Sequence, residues 1–332
     1  MLLSICVPSY NRFEDLKHLL YSINQAKSSD FDVYIIDNGS PTDFEDDILL
    51  DERFHFIKRK IAVPGPINIR TSLNYGDGKY RMLCLDKDYI DGRYLDLFIT
   101  KLKSINSPCG YCLLSSDNDS GCFRENLAPI EDTIYRCGHP SGYFFRCDIV
   151  KKDEKLVDAF DKNSIFYNNP FISDLLYAVG LASGYESIYN GTLVIPESLD
   201  KAKETKSYTY SKENSNIYFF PVCKRKQFFL LLSHLKLLGI DEKKQQNIAE
   251  RLFRRTMLDC TVNYRKIMRN QAICAHHGIE KKNITYREMI HEATLLSDEF
   301  MHKESIEFLR YKKIKMIILA WTEFFVKFII KR

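Results

Sequence analysis

The chain has 332 residues and a mass of 38.9 kDa, with 45% hydrophobic and 28% charged residues. This length and composition allow one large folded domain with a smaller one, and they exclude an intrinsically disordered chain. The net charge of +4 is too small to indicate a nucleic-acid-binding protein. Residues 303–332 hold eight Lys or Arg against three Glu, a net of +5, so residues 1–302 carry −1 and the basic character belongs to the C-terminal end.

The ten cysteines have no repeating spacing. The one close pair, Cys109 and Cys112, lies in a predicted strand, where positions three apart point to opposite faces. We therefore predict free cysteines that pack in the interior, as in a reducing cytoplasm. The N-terminal sequence MLLSICVPSYNR has neither the basic leader nor the long apolar core of a signal peptide, which agrees with that location.

The first hundred residues alternate apolar runs with helical patterns. The runs at 2–9, 32–40, 54–59 and 79–85 predict strands, and 12–26 and 67–74 have helical spacing. Continuous apolar strands separated by helices predict an α/β fold, a Rossmann-like, mostly parallel sheet with helices on both faces. Ligands of such sheets bind beyond the carboxyl ends of the strands.

The rest of the chain changes character twice. Between 108 and 200, strand-like pieces (GYCLLSS, DTIYRCG, ESIYN and TLVIP) accompany a predicted helix over 171–183. Residues 199–216 have little apolar content and predict a loop, and the pattern is helical from 218 onward. We predict an α/β domain over 1–216 and an all-helical region over 217–332.

Polar residues stand at three of the predicted strand ends, in the ordered motifs SICVPSYNR, YIIDNGS and LDKD, the last preceded by GKY. Their order and spacing resemble those of a family 2 glycosyltransferase with the GT-A fold, of the kind that builds bacterial surface polysaccharides. The resemblance covers roughly residues 2–100, and more loosely extends to about 195. It implies a site for a nucleotide diphosphate-sugar.

The first group of site residues would hold the nucleotide. Pro8 and Tyr10 can supply an apolar surface for the base, and Asp37 can accept a hydrogen bond from uracil N3–H; taken singly, each is also typical of a simple turn. The resemblance places an asparagine of the nucleotide site at Asn68. Arg12 and Arg70 are further nucleotide-binding candidates, and Arg70 could equally be an ordinary surface arginine.

Asp86 and Asp88 are the predicted metal ligands. Residues two apart in an extended segment point the same way, and carboxylates are the ligands that Mg²⁺ or Mn²⁺ prefers beside a substrate's phosphates. The resemblance implies direct coordination by Asp88, and contact of Asp86 with the ribose or the metal. Lys87 departs from the family pattern and could face solvent, pair with an acid or assist a phosphate. Asp117 and Asp119 repeat the spacing and predict either a polar turn or a site facing the acceptor.

Inverting transfer needs a base that removes a proton from the acceptor hydroxyl. The resemblance places this base at Asp174, at the start of a helix, although Ser173 stands where the family has a further acid. Asp in a first helical turn is also favoured by the helix dipole alone. In the stretch 137–145, Gly138 and Gly142 would let a sugar approach the backbone, and His139 and Ser141 are candidate donor- or acceptor-sugar contacts.

The C-terminal segment predicts a basic amphipathic helix. Two charges interrupt it too early for a membrane span, so it predicts either a helix on an anionic membrane surface or a core helix. The predicted apolar face is Ile314, Ile317, Ile318, Trp321, Phe325, Phe328 and Ile329, and the polar face is Lys312, Lys315, Glu323, Lys327 and Lys331.

These features predict an inverting, Mn²⁺- or Mg²⁺-dependent transferase that moves a hexosyl or N-acetylhexosaminyl group from a UDP-sugar to a glycan or lipid-linked glycan. A pyrophosphorylase would need a Gly-rich loop after the first strand, which VPSYNR does not provide. The competing hypothesis is a non-catalytic scaffold for glycan assembly that keeps the fold, which Lys87 and Ser173 leave open. Homo-oligomers are compatible with either.

Overall fold

The computed structural model describes residues 1–41, 51–105, 109–113, 128–134, 139–158, 172–195, 217, 219–303 and 308–330. The chain divides into two compact units, Met1–Glu197 and Ser198–Arg332. The boundary predicted at 216 lies outside the described residues and stays a prediction.

The N-terminal unit contains one mixed sheet, which confirms the predicted α/β class. Its strands are β1 Leu3–Ser9, β2 Phe31–Asp37, β3 Phe54–Lys58, β4 Tyr80–Leu83, β5 Tyr89–Ile90, β6 Cys109–Leu113, β7 Ala128–Pro129, β8 Tyr143–Arg146 and β9 Ser187–Ile195. The order is β3-β2-β1-β4-β8-β6-β9-β5, with β7 paired to β9. The first four are parallel neighbours, whereas β8 is antiparallel to both β4 and β6.

Helices cover this sheet: α1 Phe13–Ile23, α2 Gly65–Ser72, α3 Gly92–Ser104, α4 Ile130–Thr133, α5 Cys147–Asp158 and α6 Ile172–Ala182. On one face, the apolar stripes of α1 and α3 bury residues such as Leu16, Leu20, Leu95 and Phe98 against alternate residues of β1 and β2. The continuous apolar runs of the sequence therefore become strands that are buried on both faces, as parallel sheets require.

Two predictions for the middle of the chain were inaccurate. The described part of DTIYRCG belongs to α4, and the pieces ESIYN and TLVIP form one continuous strand, β9. Thr133, although β-branched, ends a short helix that follows Pro129 at its N-cap. Proline fixes φ at a value suited to a helix start, and this local effect outweighs strand propensity.

The C-terminal unit is helical, as predicted, among its described residues. It contains α7 Pro221–Leu237, α8 Glu242–Leu258, a π-helical turn over Asp259–Asn263, α9 Tyr264–Met268, α10 Gln271–His276, α11 Tyr286–His302 and α12 Arg310–Ile330. Its core includes the rings of Phe228, Phe253 and Phe300, whose centroids lie 4.6 to 5.6 Å apart. A capping box at Thr285 and Glu288 starts α11.

The predicted apolar face of α12 was wrong in part. Met316, Ala320 and Phe324 are the buried stripe, whereas Ile314 and Ile318 are exposed. Ile317, Trp321 and Phe328 are half-buried and Phe325 is exposed, because this apolar stripe is wider than the helix face that α8 and α11 can cover. The side chain of Ile329 lies outside the described part of the chain. No helix in the described part of the chain is long and apolar enough to cross a bilayer.

Candidate active site

The carboxyl ends of β3, β2, β1 and β4 meet at one edge of the sheet, because these strands are parallel neighbours. Backbone contacts join them there: the Asn38 N–H donates to the Ser9 carbonyl at 2.8 Å, and the Arg59 N–H donates to the Asp37 carbonyl at 2.9 Å. The Ser9 hydroxyl in turn donates to Oδ2 of Asp86 at 2.9 Å. The structure therefore brings the three predicted strand ends together.

Asp37 organises the loop after β2. Its carboxylate is fully buried and accepts from the backbone N–H of Ser40 at 3.0 Å and from the Ser40 hydroxyl. The same hydroxyl oxygen accepts from the Asn11 N–H at 2.8 Å, and Asn11 itself is held at a φ of +53°. Asp37 thus fixes the loops that follow β1 and β2, while its direct contact with a base stays a prediction.

Pro8 and Tyr10 differ in their surroundings. Pro8 is buried within β1, in register with Ile36 of β2, and so shapes the strand rather than presenting an open surface. Tyr10 is exposed just after the strand end and offers the flat ring that a base can stack on. Tyr10 is therefore the better candidate of the two for base contact.

Arg59 is a candidate residue of the site at this sheet edge, and the sequence analysis did not identify it. Its Nε donates to Oδ1 of the buried Asn68 at 2.9 Å, and its NH2 group donates to the Thr71 hydroxyl at 2.5 Å. Arg59 thereby ties α2 to the end of β3, and Asn68 orients it. The available signal was its position: Arg59 directly follows an apolar run at the same sheet edge as Asp37.

Asp86 is buried at the end of β4. Burial raises the pKa of its carboxyl to about 6, although the Arg12 guanidinium, the Ser9 hydroxyl, the Tyr10 N–H and Lys87 all oppose the rise. Desolvation therefore exceeds the help that the neighbouring donors and cations give to the ionised form. A cation bound beside this carboxyl would stabilise its ionised form.

The raised pKa of Asp86 gives a stability prediction. Since the folded-state pKa lies above the ordinary value of 3.8, the ionised carboxyl destabilises the fold fully above pH 6, and this penalty disappears as the pH falls toward 4. We expect Asp86→Asn to raise the free energy of unfolding by up to about 3 kcal/mol at pH 8, and by much less at pH 4.5. Urea unfolding in EDTA at both pH values measures this.

Asp51→Asn is the control, because the pKa of Asp51 is shifted in the opposite direction: the hydrogen bond from Arg53 lowers it. We expect this exchange to give no stabilisation at pH 8. Equal stability of wild type and Asp86→Asn at pH 8 would contradict the desolvation of Asp86.

Asp88 lies in a polar corner closed by a second chain segment. Oδ2 of its fully buried carboxylate is 2.6 Å from Nε2 of His139 and accepts a hydrogen bond from the Ser141 hydroxyl. The Ser141 oxygen also accepts from the Leu85 N–H at 2.8 Å, and the Gly142 N–H donates to the Leu83 carbonyl at 2.8 Å. Because β8 runs antiparallel to β4, the residues just before β8 must lie where β4 ends.

Ser141 connects the end of β4 to Asp88. The side chain has no exposed surface, and its hydroxyl bridges the Leu85 N–H and the Asp88 carboxylate. These hydrogen bonds suit a residue that positions Asp88, while the predicted contact of Ser141 with a sugar stays a prediction. Gly142, at a φ of +87°, makes the turn into β8.

Ser141→Ala should weaken metal binding, because loss of a hydrogen bond that orients a ligating carboxylate typically costs 10- to 100-fold in affinity. We expect the activation constant for Mn²⁺ to rise by about tenfold or more, measured by titrating Mn²⁺ in a nucleotide-release assay. Ser141→Thr, which keeps the hydroxyl, should recover part of the affinity. An unchanged Mn²⁺ constant in a folded Ser141→Ala protein would contradict the positioning role.

Arg70 forms a buried contact that the sequence analysis did not predict. Its guanidinium forms an ion pair with Asp153 of α5, and both side chains are almost completely buried. Because a buried cation needs its counter-ion, this pair accounts for the presence of an arginine on α2. The buried pair excludes an ordinary surface arginine, and the nucleotide contact considered for Arg70 stays a prediction.

Breaking the pair gives a stability prediction. Asp153→Ala is expected to lower the free energy of unfolding by about 3 to 5 kcal/mol, because it strands the Arg70 charge. The double variant Arg70→Met/Asp153→Leu should recover most of the loss and leave the KM for the nucleotide-sugar unchanged. Chemical denaturation and donor kinetics measure the two effects, and a large rise in KM in the double variant would indicate that Arg70 contacts the nucleotide.

Asp174 lies in the first turn of α6 and is 3% exposed, with Ser173 buried beside it. Tyr177, one turn later, donates to the Gly110 carbonyl at 3.2 Å and fixes α6 against β6. Residues 159–171, which lead into α6, lie outside the described residues. The catalytic role of Asp174 stays a prediction.

Lys87 is half-buried, and its positive charge partly opposes the rise in the pKa of Asp86. This interaction agrees with one of the three roles considered for Lys87, pairing with an acid. Asp117, Asp119 and Gly138 lie outside the described residues.

The metal prediction can be tested against the donor set. Among the described residues, no group of three or more His, Cys, Asp and Glu forms a cage for a metal ion. Mg²⁺ in nucleotide enzymes commonly takes only one or two carboxylates and completes its shell with water and phosphates. Asp86 and Asp88, two buried carboxyl groups at one strand end, fit that arrangement.

Comparison with known proteins agrees with this geometry. Residues 4–103 match the model of glycosyl transferase family 2, and this segment contains every strand end described above. Over this segment the chain is similar to glycosyl transferase family 2. No curated protein sequence matches the chain.

Solved structures support the GT-A fold of this family 2 glycosyltransferase. Staphylococcus aureus TarS 1–349 in complex with UDP is 14% identical over 97% of this chain and 90% of its own, with a TM-score of 0.54. Its complex with UDP-GlcNAc is 13% identical over 90% and 91%, with a TM-score of 0.50. A mannosyltransferase from Pyrobaculum calidifontis, in complex with GDP-Man and Mn²⁺, is 11% identical over 97% and 86%, at a TM-score of 0.48, on which no argument rests.

Proposed function

We propose that this family 2 glycosyltransferase is an inverting, metal-dependent enzyme that uses a UDP-sugar donor. The observation that carries the proposal is the corner formed by Asp86 and Asp88, whose carboxyl groups are buried at the strand end where the donor phosphates of this family bind. The UDP and UDP-GlcNAc complexes of TarS support a UDP-linked donor, with an N-acetylhexosaminyl or hexosyl group.

Each residue of the corner has a part in the proposed reaction. Tyr10 stacks on the base, and the loops fixed by Asp37 hold the nucleoside. Asp86 and Asp88 would hold Mn²⁺ or Mg²⁺, which neutralises charge on the departing diphosphate. His139 and Ser141 keep the Asp88 carboxylate in one orientation.

Asp174 is the proposed general base. Its carboxylate would take the proton of the acceptor hydroxyl as that oxygen attacks the anomeric carbon, so that the bond to the diphosphate breaks with inversion. The acceptor is a glycan or a lipid-linked glycan in the assembly of a surface polysaccharide such as capsule or O-antigen. The enzyme acts as a peripheral protein on the inner face of the membrane.

The test is nucleotide release by the full chain from a panel of UDP- and GDP-sugars, with Mn²⁺ or with EDTA. We expect release from at least one UDP-sugar in Mn²⁺ only, and NMR of the product of an α-linked donor should show a β linkage. Tight UDP binding without turnover on any donor or acceptor would favour the non-catalytic scaffold. Retention of configuration would overturn the role of Asp174.

A further inference from the structure

We propose that α12 docks the chain on an anionic lipid surface through the face that it turns away from its own unit. This outward face of α12 consists of Tyr311, Ile314, Ile318, Phe325 and Val326, which are 39% to 64% exposed. The proposal adds a contact surface to the peripheral location given under the proposed function. It rests on that function for the purpose of the contact, which is access to a lipid-linked acceptor.

The opposite face of α12 is held firmly within its unit. Met316, Ala320 and Phe324 are buried, and α12 packs on α8 and α11. On one flank, the indole N–H of Trp321 donates to the Ser297 hydroxyl at 3.1 Å, and the Phe328 ring stacks on Tyr286 at 4.4 Å between centroids. The outward side chains are therefore exposed by the packing itself, because rotating the helix would expose its buried stripe.

The exposed apolar residues follow helical spacing and lie on one side of α12, where the exposed Lys315 and Thr322 stand among them. From Tyr311 to Val326 the helix advances by fifteen residues, or about 22 Å at 1.5 Å per residue. Single exposed apolar residues are common on protein surfaces, whereas five on one side of one helix indicate a contact surface.

The charges on α12 select the partner. Residues 308–330 carry five cations and one Glu; Lys313 is buried, and Arg310, Lys312, Lys315 and Lys327 keep some exposed surface. Lys315, which is 68% exposed, lies among the outward residues, 3.9 Å from Glu250, and Lys327 pairs with Glu323 at one edge. A second copy of the chain would bring the same positive charges together, whereas anionic headgroups would complement them.

The mode of contact follows from the helix itself. Since only one face is free of the protein core, α12 would lie in the plane of the interface, with its outward side chains among the acyl chains nearest the headgroups. Aromatic rings such as those of Tyr311 and Phe325 suit this boundary. Binding should therefore need both apolar contact and negative lipid charge.

The experiment is co-sedimentation of the full chain with vesicles of phosphatidylcholine alone or with one third phosphatidylglycerol. We expect binding to the anionic vesicles that falls at least about tenfold on phosphatidylcholine alone and also in 0.5 M NaCl. Ile318→Ser/Phe325→Ser should lower the anionic partition coefficient by at least about tenfold. Lys315→Glu should lower it severalfold on anionic vesicles only.

Leu237→Ser is the matched control, because Leu237 is an exposed leucine near the end of α7 in the same unit, and we expect it to bind like wild type. Melting curves of each variant verify folding. Absence of wild-type binding to anionic vesicles, or equal binding by the double variant, would overturn the proposal. So would a homodimer in light scattering that the double variant dissociates and vesicles do not compete with. UDP release is assayed without vesicles, so failure of vesicle binding is distinguishable from failure of the proposed function.

Discussion

Asp88→Asn is expected to lower kcat/KM for the UDP-sugar by about 1,000-fold or more in Mn²⁺. The amide keeps the shape of the side chain and still accepts a hydrogen bond from Ser141, so the corner should remain folded. It removes the negative charge that would hold the cation, and with it the stabilisation of the departing diphosphate. Initial rates of UDP release at saturating Mn²⁺ measure the effect.

Asp30→Asn is the control for Asp88→Asn, because Asp30 is an exposed aspartate whose pairing with Lys103 lies on the surface. It should retain wild-type rates. Direct binding of Mn²⁺, followed by its paramagnetic effect on water relaxation, separates loss of the metal from loss of the nucleotide. A folded Asp88→Asn enzyme with rates within tenfold of wild type would remove Asp88 from the metal site.

The sheet edge was the part of the site that the sequence could predict. Apolar runs fix the first four strands, parallel pairing aligns their carboxyl ends, and Tyr10, Asp37 and Asp86 then fall at one edge. The links between strands could not be read in the same way. Ser9 contacts Asp86, 77 residues away, and this pairing depends on register and on rotamers that no local pattern records.

The corner around Asp88 shows a second limit. The strand β8, Tyr143–Arg146, was not among the predicted strand-like pieces, and composition alone does not give a strand's direction. The antiparallel pairing of β8 with β4 brings His139 and Ser141 to Asp88, a contact that their predicted role at a sugar did not include. Arg70 shows the same limit, because only the packing of α5 reveals that Asp153 is its partner.

The tail shows a limit of periodicity itself. A helical period predicted α12 correctly, but two neighbouring apolar stripes satisfy that period, and the core takes the one through Met316, Ala320 and Phe324. Which stripe is buried depends on α8 and α11, whose positions are a property of the folded unit.

Asp174→Asn is expected to lower kcat by about 100- to 10,000-fold, the usual contribution of a general base. The KM for the donor and the activation constant for Mn²⁺ should stay near the wild-type values, because the proposed role concerns only the acceptor proton. Stopped-time assays with saturating donor and varied acceptor measure the change.

Asp148→Asn tests the competing interpretation of Asp174 directly. Asp148 occupies the first turn of α5 as Asp174 occupies the first turn of α6, so both would favour their helix through its dipole. If the dipole is the whole reason for Asp174, each exchange should cost about 0.3 to 1 kcal/mol of stability and leave kcat unchanged. If Asp174 is the base, only Asp174→Asn loses turnover while both proteins stay folded. The pair therefore separates a residue that the helix requires from one that the reaction requires.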